Sequence, residues 1–283
     1  MNKSKTTLLA APYAVWSAGF VVIPLFIILF YGLTSENGGL STGILQAAAD
    51  PINQKALALS IVFSLIATLI CLLIAYPLSL VLSALSGKAG RENTTFFTML
   101  FILPMWINSL IRTIAWQNIL ERTGVINRFL NFAGLPELNI INKPPAIILG
   151  MVYDFLPFMI LPIYNSILKI NKDYIDAAKD LGANNIQTIF KVTLPLSLPG
   201  IIAGITMVFV PSLTTFVISD ILGGGKILLV GNIVEQLFTL DNDWHAGSAL
   251  SCVLMVFIII NILISELSER KDLSENSKGG IEL

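Results

Sequence analysis

Residues 56–87 read ALALSIVFSLIATLICLLIAYPLSLVLSALSG, a run of 32 residues without a charged side chain. A helix needs about 20 residues to cross the hydrocarbon core of a bilayer, so this run is long enough to cross as one helix. Further apolar stretches have the same character, one of them interrupted only by Asp154. Together they predict six transmembrane helices, at roughly 10–33, 56–85, 95–117, 145–168, 198–220 and 246–265.

The overall composition agrees with a membrane protein. Of the 283 residues, 55% are hydrophobic and 12% are charged, whereas soluble domains carry about 25% charged residues. The net charge of −1 gives no sign of the basic patch that a nucleic-acid partner requires. The composition therefore predicts an all-α integral membrane protein that does not bind nucleic acid.

The distribution of positive charge predicts the orientation. The uncharged stretch 6–35 is longer than the roughly 7–15 apolar residues of a signal peptide, so we expect the first span to stay uncleaved. Six spans place both termini on one side. With both termini in the cytoplasm, eleven of the 17 lysines and arginines lie inside, as the positive-inside rule requires. These inner segments are 1–9, 86–94, 169–197 and 266–283.

One transmembrane domain, a polar tail and an outer helix follow from this topology, without a separate soluble domain. We expect a transmembrane domain over 1–265 and a polar cytoplasmic tail over 266–283. The outer segment 118–143 is too polar to span, but Val125, Ile126, Phe129 and Leu130 give it one apolar face. That spacing predicts a short helix at the outer interface.

Side chains suited to metal, redox or nucleotide chemistry are few. Cys71 and Cys252 both lie inside apolar runs and are interpreted as packing residues. His245 is the sole histidine and has no cysteine nearby, so no metal site is predicted. The run Gly223–Lys226 lacks the spacing and the following hydroxyl of a phosphate-binding loop. The sequence therefore predicts no catalytic residue and no cofactor in this chain.

The loop 169–197 has the pattern of a helix-turn-helix. Asp173–Leu181 begins with an acidic residue and continues with good helix formers, and Gly182 is expected to end that helix. A second short helix is predicted to begin near Asn185 and to end at Leu194-Pro195. Its apolar face carries Ile186, Ile189, Phe190 and Thr193.

This loop resembles the signature loop of binding-protein-dependent ABC importer permeases. Asp176-Ala177-Ala178 is followed after three residues by Gly182, and after nine more by Val192-Thr193-Leu194-Pro195. The family has Glu at the position of Asp176 and usually Ile at that of Val192. The resemblance implies docking into a groove on a separate ATPase; an ordinary amphipathic loop is the alternative. The implied coupling residues are Asp176, Ala177, Ala178, Gly182, Ile189, Phe190, Leu194 and Pro195.

Two further stretches resemble the spermidine/putrescine permeases of that family. They are 103–116 with 124–127, and 211–216 with 220–224. The resemblance implies a type I ABC importer permease architecture in a bacterial plasma membrane and transport of a polyamine. The implied partners are a second related permease, two ATPase subunits that bind ATP-Mg and an extracytoplasmic solute-binding protein. Permeases for ferric iron, sulfate or thiamine share parts of these motifs, and a secondary transporter driven by an ion gradient is a further alternative.

A polyamine is a flexible polycation, so its path should offer carboxylates and aromatic faces. Asp154 is the clearest candidate, because a charge in a spanning helix costs on the order of 2.5–3.5 kcal/mol and usually faces the bundle interior. The predicted pathway residues are Asp154, Asp220, Trp106, Trp116, Tyr153 and Phe158.

Each of the main pathway candidates also has a structural interpretation. Asp154 would equally serve as the partner of Arg112 in an ion pair, and Asp220 as an exposed acid at a helix end. Trp116 would suit an interfacial anchor, and Trp106 would suit core packing. The residues alone leave these alternatives open.

Overall fold

The computed structural model describes residues 12–13, 15–35, 39, 41–89, 96, 98–99 and 101–279, with the backbone alone described at 86–89 and 264–279. All its elements are helical in these residues, which confirms the predicted all-α class. A 3-10 turn lies at Leu103–Trp106 and π-helical turns lie at Ala18–Val22 and Ile189–Thr193. The helices are α1 Ile23–Leu33, α2 Gly43–Ala49, α3 Pro51–Ala89, α4 Ser109–Leu120, α5 Val125–Phe132, α6 Pro144–Leu168, α7 Lys172–Asp180, α8 Asn185–Thr188, α9 Leu194–Thr214, α10 Val217–Gly223, α11 Val230–Thr239 and α12 Trp244–Gly279.

Within the described residues, five helices are long and apolar enough to cross a membrane. They are Val15–Leu33, Pro51–Leu85, Pro144–Leu168, Asn185–Thr214 and Trp244–Leu263. The predicted third span, 95–117, is not among them, and part of it lies outside the described residues. The count of six spans therefore stays a prediction.

The stretch predicted as the third span is divided by local backbone conformation between Trp106 and Ser109. Ile107 follows the 3-10 turn in an extended conformation. Asn108 then starts α4, its side-chain oxygen accepting a hydrogen bond from the Leu110 N–H at 2.8 Å. An asparagine in this position satisfies one of the free N–H groups at a helix start, so a new helix begins inside the predicted span.

The predicted limits of the fifth span were wrong at both ends. Leu194-Pro195 does not end the second loop helix, because the chain is helical without interruption from Asn185 to Thr214. Leu194 N–H already donates to the carbonyl of Ile189, five residues back. Pro195 lies in the first turn of α9, where a missing N–H is tolerated. At the other end the helix stops at Thr214, since Thr215 is extended, rather than continuing to 220.

The chain divides into two compact units, of which one comprises Leu57–Asn232 with Ile259–Leu283. In this unit α6 and α9 pack closely because small residues line the contact. A Cβ atom on Gly200 would lie 2.7 Å from the Pro162 carbonyl oxygen and would also collide with Ser166. A Cβ on Gly204 would lie 2.7 Å from the sulfur of Met159. The buried apolar residues of this region are Cys71, Ala75, Leu82, Met159, Ile160, Ile163, Tyr164, Ile167, Ile201 and Val208.

The other unit comprises Met1–Ala56 with Ile233–Ile258. Within it α1 and α12 approach closely at Gly32, whose Cβ position lies 2.9 Å from the sulfur of Cys252. The His245 Nδ1 atom lies 3.0 Å from the Tyr31 carbonyl oxygen and 2.7 Å from that of Thr34. Two carbonyl acceptors require Nδ1 to carry a proton, so His245 holds the end of α1 against the start of α12.

The region predicted as a separate tail begins inside a helix. The α12 backbone continues through Gly279, past the predicted boundary at 266. Residues 280–283 lie outside the described residues. The short helix predicted within 118–143 is present as α5, and its place at the outer interface stays a prediction. Its buried residue is Asn127, while Val125 and Phe129 are exposed.

Candidate functional site

The 169–197 loop folds as the predicted helix-turn-helix. Asn171 caps α7 by accepting a hydrogen bond from the Asp173 N–H at 3.1 Å. The turn follows at Gly182, whose φ of +85° is in the left-handed region that favours glycine. Asn184 and Gln187 then form a reciprocal capping box with hydrogen bonds of 2.8 and 2.9 Å. Both arms are therefore fixed at their starts by local hydrogen bonds.

The outward surface of this loop is apolar at its most exposed points. Leu181 is 90% exposed, Ile186 67% and Phe190 64%. Thr188 and Thr193 are buried. The apolar face predicted for Ile186, Ile189, Phe190 and Thr193 is therefore not a single surface, because some of its residues are exposed and Thr193 is buried. Leu181, the most exposed of these apolar residues, is one that the sequence analysis did not select.

The other coupling candidates differ in exposure. Ile189 and Leu194 are half-buried, and so is Ala178. A second group is exposed and consists of Asp176, Ala177, Gly182 and Pro195. The structure thus places the acidic start of the signature and its glycine on the same accessible loop as Leu181 and Phe190.

Three of the six pathway candidates lie together. Asp154 is buried in α6, and its Oδ1 atom lies 3.4 Å from Nη1 of Arg112 on α4. One turn beyond Arg112, Trp116 meets Tyr153 in an edge-to-face ring contact with centroids 5.2 Å apart. Trp116 is half-buried and packs against a buried apolar cluster. The ion pair weighed as an alternative for Asp154 is therefore present, and Trp116 and Tyr153 are near its two members along the chain.

The remaining three candidates have other surroundings. Trp106, in the 3-10 turn, is 83% exposed, which excludes a place in the core of this chain. Asp220 is exposed in the first turn of α10. Phe158 packs beside Phe155 with ring centroids 6.5 Å apart. None of the three takes part in the Arg112–Asp154 pair or in the ring contact beside it.

Two buried asparagines that the sequence analysis did not select hold the segments around this region. Asn127 donates to the carbonyls of Glu121 and Leu138 and accepts from the Leu138 N–H, at 2.7 to 3.0 Å. Asn232 accepts from Ser219 Oγ at 2.6 Å and from the Leu229 N–H at 3.0 Å, and it also donates to a carbonyl. In the sequence, Asn127 follows Val125 and Ile126, and Asn232 precedes Ile233 and Val234, so apolar residues on one side of each amide were the signal.

Replacing Asn232 with alanine is expected to lower thermal stability. The variant leaves the buried Leu229 N–H without its acceptor, whereas the Ser219 hydroxyl can still donate to the Phe216 carbonyl at 2.9 Å. One unsatisfied buried group costs about 1–3 kcal/mol. In detergent, the melting temperature of the purified chain should fall by about 4 °C or more. Asn118→Ala is the control, because Asn118 is exposed and its side chain donates within its own helix to Ile114. Equal melting temperatures for the two variants would contradict this role of Asn232.

No group of three or more metal-binding side chains lies together in the described part of the chain. The Nδ1 atom of His245 donates to the carbonyls of Tyr31 and Thr34, and the rings of His245 and Tyr31 meet edge to face with centroids 5.2 Å apart. Its surroundings therefore give the sole histidine a structural role.

Known proteins resemble this chain over most of its length. Residues 76–270 match the family described as binding-protein-dependent transport system inner membrane component. The spermidine/putrescine transport system permease protein PotB of Haemophilus influenzae is 37% identical over 257 residues, which cover 88% of each chain. PotB of Escherichia coli is 40% identical over 217 residues, which cover 76% of this chain and 78% of the relative.

Solved structures share the fold at lower identity. A chain of a bacterial ABC transporter involved in the import of the acidic polysaccharide alginate superposes with a TM-score of 0.73 at 18% identity, covering 95% of this chain and 96% of that one. A chain of the MetNI methionine ABC transporter gives 0.58 at 16% identity, with coverage of 79% and 99%. These likenesses confirm the predicted permease architecture as a fold. With the family match and the identity to the two relatives, they establish that this chain belongs to the binding-protein-dependent transport system inner membrane component family.

Proposed function

We propose that this chain is the permease subunit of an ATP-driven importer of polyamines and forms half of its translocation pathway. The observation that carries the substrate class is the identity to two spermidine/putrescine permeases over most of both chains. The same relatives favour a polyamine over ferric iron, sulfate or thiamine, whose permeases share only parts of the motifs. In this proposal the chain works in the bacterial plasma membrane with both termini in the cytoplasm.

The proposed coupling surface consists of Leu181, Ile186 and Phe190 together with the signature residues around Gly182. Exposed apolar side chains on a helix-turn-helix with capped arms suit a groove in a soluble partner, because burying each would contribute about 1.5–3 kcal/mol. An amphipathic loop without a partner would instead turn such residues inward. The ATP-Mg is held by the partner ATPase subunits, and this chain transmits their motion.

The proposed substrate path passes the cluster of Asp154, Tyr153 and Trp116. A buried carboxylate offers charge-assisted hydrogen bonds to an ammonium group, and the two rings offer faces to a cation. Trp106 and Asp220, both exposed, and Phe158 are proposed as further pathway residues. A second related permease completes the pathway, and an extracytoplasmic solute-binding protein delivers the substrate.

The proposal is tested by purifying the tagged chain from its native host and measuring uptake in vesicles that contain the whole complex. An ATPase should purify with the chain, and uptake of labelled spermidine or putrescine should stop when ATP is depleted. Ferric iron, sulfate and thiamine serve as competing substrates in the same assay. Uptake that survives ATP depletion, with no ATPase present, would establish a secondary transporter instead, and uptake of a competing substrate alone would replace the polyamine.

A further inference from the structure

The ion pair between Arg112 and Asp154 is buried but incompletely bonded. Their side chains are only 10% and 6% exposed, and the closest nitrogen and oxygen are 3.4 Å apart. Charge-assisted N–H···O bonds are normally about 2.7–2.9 Å long. The pair is thus held together by charge at a distance where a strong hydrogen bond is absent.

The guanidinium of Arg112 has further unused donors. Its Nε and Nη1 atoms are buried and make no hydrogen bond to any residue that the structure describes. A buried pair that serves stability alone is expected to satisfy its donors, because each unsatisfied one opposes folding. Arg112 therefore neutralises the charge of Asp154, but its Nε and Nη1 atoms form no hydrogen bond that would hold the guanidinium in place.

We propose that Arg112 is a resident counter-cation, which occupies Asp154 until an ammonium group of the substrate displaces it. The inference rests on the proposed function, since it requires a cationic substrate. Arginine keeps its charge at any physiological pH, and its tether to α4 returns it to the carboxylate when the substrate leaves. Asp154 is therefore never left charged and alone in the membrane, where an unpaired charge is strongly disfavoured.

The rings beside the pair support such an exchange. Trp116 lies one turn along α4 from Arg112, and Tyr153 precedes Asp154 on α6. The two rings meet edge to face with centroids 5.2 Å apart, so aromatic side chains neighbour both members of the pair along the chain. A cation that leaves the carboxylate, or one that approaches it, can be stabilised by the faces of such rings.

The test compares Asp154→Asn, Arg112→Gln and the double variant in the whole transporter, with uptake normalised to the amount of inserted chain. The fraction of time for which Arg112 occupies the carboxylate reduces the apparent affinity, so Arg112→Gln should lower the KM for spermidine by about threefold or more. Asp154→Asn loses the charge-assisted bond and should raise that KM by about tenfold or more. The double variant should share the high KM of Asp154→Asn.

A purely structural pair gives a different pattern. Removing both charges together is then nearly neutral, so the double variant would regain the wild-type KM, and this result would overturn the proposal. The KM of the double variant distinguishes a displaceable counter-cation from a structural pair even when Arg112→Gln alone fails to insert. The matched control is the exposed pair Arg122–Glu137, 3.5 Å apart, whose double replacement by Gln should leave KM unchanged. A wild-type complex without any polyamine uptake would instead remove the proposed function itself.

Discussion

Replacing Gly182 with tryptophan is expected to abolish uptake while the amount of inserted chain stays unchanged. A Cβ atom at Gly182 meets no atom within 4 Å, so the indole would project from the proposed coupling surface without a steric clash inside the chain. In the assembled transporter, however, it would lie at the proposed ATPase contact. Overpacking an interface typically costs about 1–3 kcal/mol, or about fivefold to 150-fold in affinity. Uptake and the amount of co-purified ATPase should both fall accordingly, and an immunoblot of the membrane fraction measures the inserted chain.

The variant Gly182→Ala distinguishes the effect of side-chain volume at this position from the effect of backbone strain. Both variants place a side chain at a φ of +85°, where any residue with a Cβ is strained by about 1–2 kcal/mol. Only tryptophan adds volume, so the alanine variant should keep most of its uptake and its bound ATPase. Equal loss in the two variants would assign the defect to the turn itself, and normal uptake by the tryptophan variant would contradict coupling through this loop.

The second large effect is expected for Gly200→Leu, which should prevent stable insertion. The Cβ alone would collide with Ser166 and approach the Pro162 backbone oxygen to 2.7 Å. Because a backbone atom cannot rotate away, α6 and α9 would have to separate, at a cost of about 3 kcal/mol or more. The membrane abundance of the chain should fall by about tenfold, measured by immunoblot against a co-expressed marker.

Gly19→Leu is the matched control for this effect. Gly19 also lies in a long apolar helix, but a Cβ there meets nothing within 4 Å. This variant should insert at the wild-type level. An equal loss of abundance in both variants would point to the introduction of leucine into a span rather than to the contact between α6 and α9.

The parts predicted correctly from the sequence are those that depend on local composition. Run length alone identified the long apolar helices, because lipid leaves a polar backbone no alternative to internal hydrogen bonds. The turn at Gly182 followed from glycine's tolerance of positive φ, and α7 from its helix formers. Each of these properties is contained within a few consecutive residues.

The errors arose where a local signal competes with hydropathy. Asn108 divides an apolar stretch by capping a helix, and the π-helical turn before Leu194 lets the chain pass Pro195 without ending. The close contact at Gly200 and Gly204 was detectable, since two glycines four residues apart are typical of tightly packed membrane helices. Hydropathy is averaged over many residues and so does not register such single positions.

The pathway region shows the other limit of sequence reasoning. Arg112 and Asp154 lie on different helices, and the sequence left open whether they meet. Their separation of 3.4 Å is set by how α4 and α6 pack, which no local pattern specifies. The unused donors of Arg112 are likewise visible only once its neighbours are placed.

In the proposed function, the uninterrupted helix from Asn185 to Thr214 would act as a lever. At 1.5 Å per residue its 30 residues form a rod of about 45 Å, with the coupling arm at one end and Gly200 near its midpoint. A tilt of about 10° around Gly200 would carry the two ends in opposite directions by roughly 4 Å each. In the proposed coupling, a small displacement of Phe190 would therefore produce a displacement in the opposite direction at the far end of the span.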